Sequence, residues 1–435
     1  MTQSGLEALR DPIRSWLTEH RDDAERLLLS LVEVSCVTGN EGAVQDVVER
    51  AMRDRGWDID RWEASREETE PYLVHVGEQA VYDGRPNLVA SVSGAGNGRS
   101  LMLQGHVDTV EVGDPALWTR NPAGDIVGDR LYGRGACDMK GGIVSMMLAR
   151  QALAKIGVQV HGDVLLATSV GEEDGGLGAL STILRGHRAD GVIVTEPSRR
   201  ALVIAQGGSL VFRITVPGKA AHGAARWEGE SALEHFIPIF NNLLEWERER
   251  NRDLSHPLYD HLENKFPISV GLVQAGNWAS TVPESLVAEG RLGFLPGETI
   301  EEMQAATAAR LERVARADPW LREHPPTLEW FGGQFASAEV APDHPLAVTV
   351  AEAHQASTGE AVSVQGVTYG ADMRLFLQIG DMPTVIYGGG DVRLAHVADE
   401  YIEMSDVLLA AETMALAIVS WCGYDYPASG FHTEA

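Results

Sequence analysis

Apolar positions along the chain recur with two periods, and the alternation between them outlines the elements. Residues 6–35 repeat at helical spacing, with Leu27, Leu28, Leu31 and Val32 on one face. Thr38 and Glu41 give the polar cap and acidic first turn of a second helix, predicted to run to about Arg55 and to stop at Gly56. Residues 57–62 read as a strand. Residues 63–86 are charged and poor in apolar periodicity, the pattern of an excursion over the surface. Two strands follow, 87–93 and 100–104, joined by a glycine-rich turn. After the turn formers of 115–129 come a helix over 143–156, a strand over 164–170, a helix ending at Arg185 and a strand over 191–195. Strands that alternate with helices, with polar residues collected just past the strand ends, describe an α/β sheet with its site at one edge.

The character changes near Gly207. Residues 209–216 alternate like a half-exposed strand, 230–250 read as a long helix, 266–275 and 282–295 as strands, 299–317 as a helix and 327–331 as a last strand. This is the split βαβ, ferredoxin-like order. It predicts a separate α+β unit over 208–332, inserted in an α/β domain built from 1–207 and 333–435. In the last part the first pattern resumes, with helices over 345–358, 373–379 and 405–420 and strands near Val362 and over 384–387.

A length of 435 residues suits two domains. The net charge of −28 argues against nucleic acid and anionic membrane as partners. Cys36, Cys137 and Cys422 are odd in number and far apart, so no disulfide framework is implied and a reducing compartment is expected. The first twenty residues lack the apolar core and cleavage site of a signal peptide. No run reaches the ~20 apolar residues of a membrane helix, and the best, 407–421, is interrupted by Glu412. The expectation is a cytoplasmic protein.

The candidate chemistry sits where strands end. His106 and Asp108 lie at i and i+2 just past one strand and point to the same side. Asp138, the pair Glu172–Glu173, Glu196 and His396 follow at other strand ends or loops. Singly, each has a plainer reading: a structural His–Asp pair, a helix cap, a solvated loop, a surface histidine. Together, two histidines and three carboxylates suffice for two divalent ions if one carboxylate bridges them, with zinc preferred and cobalt or manganese usable. A tandem Glu-Glu lets one glutamate ligate while its neighbour moves protons. Cys137 is set aside as a soft ligand, because on extended chain its side chain alternates away from Asp138.

Five motifs carry a resemblance over nearly the whole chain: Gly105-His-Val-Asp-Thr-Val110, Gly133-Arg-Gly-Ala-Cys-Asp-Met-Lys-Gly-Gly142, Glu172-Glu173, Thr195-Glu-Pro197 and His396-Val-Ala-Asp-Glu400. They resemble the dinuclear zinc hydrolases, the family of acetylornithine deacetylase, succinyl-diaminopimelate desuccinylase, aminoacylase and glutamate carboxypeptidase. The resemblance implies a catalytic α/β domain interrupted by a dimerisation domain. It implies that His106 and Glu196 hold one ion, Glu173 and His396 the other, and that Asp138 bridges both. Asp108 would orient His106, and Glu172 would act as general base and acid. It implies a cis Asp138–Met139 bond. His222, a turn residue by its local pattern, would cross from a partner subunit in a homodimer built through 208–332 and stabilise the tetrahedral oxyanion. Arg291 and Arg374 resemble residues near a substrate carboxylate. The family's asparagine before Val-Pro is Ser280 here, with Asn277 close by, and its Gly-Pro-Gly loop is Gly388-Gly389-Gly390. The implied activity is hydrolysis of an amide bond in a small N-acyl amino acid or related N-acyl amine. Dipeptidase, carboxypeptidase, N-formyl or N-succinyl hydrolase activity are alternatives within the same chemistry. A metal binder without catalysis would need neither Glu172 nor Asp108, and a two-metal phosphoesterase would want a basic phosphate cradle that the sequence lacks.

Overall fold

The computed structural model describes residues 3–426. Its main element is a nine-stranded sheet. The centre is four short strands, Val164–Ser169, Leu101–His106, Val192–Val194 and Thr384–Ile386, side by side and parallel. Every residue in these four is buried, as expected for parallel strands covered on both faces. Alternation sorts their side chains: Leu101 and Leu103 enter one core and Met102 the other. The first core is filled by the helices Gln3–Glu19, Gly141–Lys155, Pro345–Thr358 and Met404–Cys422, the second by Leu177–Leu184 and Met373–Gln378. Parallel strands share a C-terminal edge, so the residues just past Ser169, His106, Val194 and Ile386 gather in one place.

The outer strands correct several expectations. The strands Pro86–Val92 and Leu101–His106 are not neighbours: Val164–Ser169 lies between them, antiparallel to the first and parallel to the second. Residues 63–86 are more than a surface excursion. They form the short helices Arg66–Thr69 and Leu73–Val76 and bury Thr69, Val76 and Arg85. Arg85 is drawn in by a bidentate pair with Glu41 at 2.5 and 2.7 Å, both side chains inaccessible to solvent. The strand Leu202–Gln206, unforeseen in the sequence, is fully buried and leads straight into the next domain. Asp125–Val127, Arg130–Tyr132 and Tyr401–Glu403 make a small sheet that was also unforeseen.

Between Gly208 and Trp330 the chain builds a four-stranded antiparallel sheet in the order Ile268–Ala275, Ser285–Phe294, Gly208–Pro217, Thr327–Trp330. This is the ferredoxin-like arrangement predicted from element order. The helices Ala232–Asp253 and Ile300–Ala317 share its separate apolar core. The second starts on a capping box between Thr299 and Glu302.

The helix Met404–Cys422 has the length and apolarity to cross a membrane, yet most of it is buried inside the protein. Its buried carboxylate, Glu412, accepts from Arg14 Nε and Nη2 at 2.8 and 2.7 Å and from Ser357 Oγ at 2.9 Å. Its apolar surface is core.

Candidate metal centre and active-site cavity

The sheet edge delivers the ligand-type side chains one by one. His106 is the last residue of its strand and is buried. Its Nδ1 donates to the Asp108 carbonyl at 3.0 Å, which leaves Nε2 facing Asp138 Oδ1 at 3.2 Å and Glu196 Oε1 at 3.7 Å. Glu196 follows the strand Val192–Val194. Behind it, Gly388 passes so close that a Cβ there would meet the Glu196 carbonyl oxygen at 2.4 Å, so this loop tolerates no side chain.

Asp138 lies in the turn before the helix Gly141–Lys155, and the Asp138–Met139 bond is cis. The turn is held by Glu400, whose Oε1 accepts from the amides of Cys137 and Asp138 at 3.0 and 3.2 Å and whose Oε2 accepts from Arg134 at 2.6 Å. Asp138 Oδ2 is 3.5 Å from His396 Nε2, and Glu173 Oε1 lies 3.1 Å from the same nitrogen. Two groups result, His106–Asp138–Glu196 and Asp138–Glu173–His396, with the donor atoms of each within 4.8 Å of one another. They share Asp138, which turns one oxygen to each histidine. Cys137 belongs to neither; its Sγ donates to the Asp391 carbonyl at 3.4 Å.

Asp108 meets His106 Nδ1 through its main-chain carbonyl, and its carboxylate serves the neighbouring turn. Its carboxylate lies 3.6 Å from His106 Nδ1 and accepts from the amides of Glu172 and Glu173 at 3.1 and 3.2 Å and from Thr38 Oγ1 at 3.0 Å. It therefore fixes the turn that carries both glutamates. Glu172 stays outside both groups. Its side chain is buried, and among the described residues its Oε1 has no hydrogen-bond partner.

The charges are strongly perturbed. Burial pushes the Glu172 and Glu196 carboxyls well up, with neighbouring carboxylates adding to the effect and His106 opposing it. Burial alone would lower the His106 pKa, but Glu196, Asp138 and Asp108 overcome it and hold it well above the usual value. Hydrogen bonds that His396 donates to Asp138 and Glu173 raise its pKa to about 10. Two imidazole nitrogens and three carboxylates, crowded and short of positive charge, suit a pair of divalent cations. The protonation sets a direction. An imidazole must lose its proton to ligate, so loading near neutral pH should release protons, and apparent zinc affinity should rise with pH toward about 10. Calorimetric titration with zinc in buffers of different ionisation enthalpy measures this; zero net proton release would contradict it.

These groups floor a cavity of ≈ 360 Å³. The α/β domain contributes Asp138, Glu172, Glu173, Glu196, His396, Phe335 and Tyr369, and the insert contributes Ser209, Val211 and Arg291. Arg291 donates to Ser209 Oγ at 3.0 Å and to the Thr368 carbonyl at 3.2 Å, and among the described residues it has no acid partner. Burial lowers its pKa. Arg374, expected beside it, does not reach the cavity. It is completely buried, bonded to the carbonyls of Ala371 and Gly175 at 2.9 Å each, and lies 3.8 Å over the Phe335 ring. Each Nη is bonded to a backbone carbonyl, and Nε is buried with no hydrogen-bond partner among the described residues. His222 and Asn277 are exposed on the insert, outside the cavity of their own chain. His222 pairs with Thr281 at the end of the loop that holds Asn277, and its Nδ1 accepts from Ala224 at 3.1 Å. Sequence reasoning missed Glu400 as an anchor, although it closes the His396 motif, and missed Tyr369 and Phe335, which no local pattern marks.

A profile of Peptidase family M20/M25/M40 matches residues 102–420, a span that holds all five ligand-type residues. The chain belongs to this family of metallo-hydrolases, which cleave amides as deacylases and peptidases. Similar proteins include the N-formyl-4-amino-5-aminomethyl-2-methylpyrimidine deformylase of Bacillus subtilis (strain 168), 27% identical over 431 residues that cover 93% of this chain and 96% of that protein. The acetylornithine deacetylase of Myxococcus xanthus is 28% identical over 361 residues, 82% of this chain and 88% of that one. Human carnosine dipeptidase 1 superposes with a TM-score of 0.75 at 13% identity, over 95% of this chain and 98% of its own, a likeness of fold.

Proposed function

We propose that the protein is a metal-dependent deacylase that cleaves the amide bond of a small N-acyl amine or N-acyl amino acid. The observation that carries this is Glu172, buried and free of the two ligand groups yet lining the cavity above them. His106, Asp138 and Glu196 would hold one divalent cation and Asp138, Glu173 and His396 a second, zinc first, with cobalt or manganese as alternatives. Bound there, such a pair polarises an acyl oxygen and lowers the pKa of water. Glu172 takes a proton from the attacking water as its oxygen bonds to the acyl carbon. The same carboxyl gives that proton to the amine nitrogen as the C–N bond breaks. Asp108 keeps Glu172 and Glu173 at their stations throughout.

The relatives' names and Arg291 bear on the substrate. A guanidinium without an acid partner offers its remaining donors to a ligand acceptor, a carboxylate above all. The deformylases direct attention to formyl groups on small planar amines. The test is a panel assayed with zinc- and cobalt-loaded protein: N-formyl aminomethylpyrimidine, N-acetylornithine, N-succinyl-diaminopimelate and dipeptides. Turnover of an N-acyl compound, lost on chelation and restored by metal, is expected. Turnover of dipeptides alone would replace deacylase by dipeptidase, and no turnover at all would end the reading.

A homodimer belongs to the proposal. Leu233 and Ile237 on one helix of the insert and Leu272 and Val273 on its edge strand are exposed apolar side chains that a second copy could cover. Across that contact, His222 would reach the partner's cavity. His222→Ala should lower kcat by about 10²–10³-fold, the loss typical of one oxyanion donor, with bound metal unchanged. Full turnover, or an active monomer, would remove His222 from the site.

A further inference from the structure

Tyr369 follows the strand Val364–Val367 and lines the cavity beside Asp138, Glu172 and Glu196. The residue is half-buried. Its hydroxyl is shut off from solvent and, among the described residues, has no hydrogen-bond partner. A buried hydroxyl left unpaired loses its hydrogen bonds to water without replacement, so a tyrosine at this place asks for a partner from the cavity. Burial holds the phenol above its ordinary value, which keeps it a neutral O–H donor. It approaches carboxylates that it does not bond.

The segment around it is pinned. The Val367 carbonyl accepts from Gly207 N at 2.7 Å, the Thr368 carbonyl from Arg291 at 3.2 Å and the Ala371 carbonyl from Arg374 at 2.9 Å. Gly370 lies so close to Phe335 that a Cβ would meet its ring at 2.5 Å. A donor held this way needs no rearrangement when charge develops in front of it, the condition for electrostatic stabilisation of a transition state. An acyl carbon within reach of a water activated by Glu172 puts its oxygen in the space that Tyr369 borders.

We propose that Tyr369 donates its phenolic hydrogen bond to the acyl oxygen of the substrate, and to the oxyanion that oxygen becomes, from within the same chain. As the water oxygen bonds to the acyl carbon, the carbonyl π pair moves onto the acyl oxygen and strengthens the hydrogen bond. The proton stays on the phenol, and Glu172 carries all net proton transfer. When the C–N bond breaks, the pair returns to re-form the carbonyl. Arg374 becomes a positioning residue, holding Ala371 and stacking on Phe335 behind the loop.

This rests on the deacylase reading, and Tyr369→Phe separates the two. The substitution deletes a buried hydroxyl with no protein partner among the described residues, so the thermal midpoint should not fall below that of the wild type and bound metal should match it. With the best substrate of the panel, kcat should fall 10–100-fold while KM changes less than about threefold, the pattern of an interaction made mainly in the transition state. A second readout avoids turnover. Substrate bound to Glu172→Gln should shift the tyrosine absorbance to the red, and Glu172→Gln/Tyr369→Phe should lack that component. Wild-type kcat in Tyr369→Phe overturns the proposal, as does an unshifted spectrum with substrate bound. A wild type that cleaves no amide defeats the deacylase reading itself, a different result from an active wild type matched by its variant.

Discussion

Glu172→Gln should lower turnover by about 10²–10⁴-fold, the usual contribution of a positioned acid–base group, and leave zinc content and folding intact. The expected separation of chemistry from binding comes from geometry. Glu172 lies outside both ligand groups, its Oε1 has no protein partner among the described residues, and glutamine fills the same volume. The turn that carries it is held by main-chain bonds to Asp108, which the substitution leaves in place. Steady-state rates beside elemental analysis of the purified variant decide the matter. A variant that turns over at the wild-type rate would mean that another group moves the proton.

Asp138→Asn should do the reverse and empty the centre. Asp138 is common to both ligand groups, with Oδ1 toward His106 and Oδ2 toward His396. An amide puts an NH₂ where one of those oxygens stood and removes the charge that helps to raise both histidines. Metal affinity should fall by more than the 10–100-fold that loss of an outer-shell partner costs, and bound zinc should drop below one ion per chain after dialysis. Proton release on loading should shrink as well. Two tightly retained ions in the variant would show that Asp138 is dispensable as a bridge.

The sequence made some of this legible and hid the rest for physical reasons. His106, Glu196 and Glu173 follow strands whose apolar runs are unmistakable, and a strand end is local information. The ferredoxin-like order of the insert could be read because its two helices and two of its strands are long and amphipathic. Strand neighbours are a non-local property, so nothing near Gly94 announced that Val164–Ser169 would separate the strands on either side. The strand Leu202–Gln206 went unseen because it runs into the next strand with only Gly207 between them. Arg374 illustrates the limit for side chains. Its place in a motif is readable, but the Ala371 and Gly175 carbonyls that occupy it meet only in the folded chain. Tyr369 carries no pattern at all.

The helix Met404–Cys422 has a consequence for how the protein is made. It packs against the helices Gln3–Glu19, Gly141–Lys155 and Pro345–Thr358 and fills their shared core. The first two emerge from the ribosome long before it. At roughly 5–20 residues per second, their apolar faces wait for tens of seconds without the segment that covers them. The insert has its own core and can fold during that interval. The α/β domain cannot close until nearly the whole chain has been synthesised, so a newborn chain exposes a groove shaped for one apolar helix. Its yield in the cell should depend on holdase chaperones more than its finished stability would suggest.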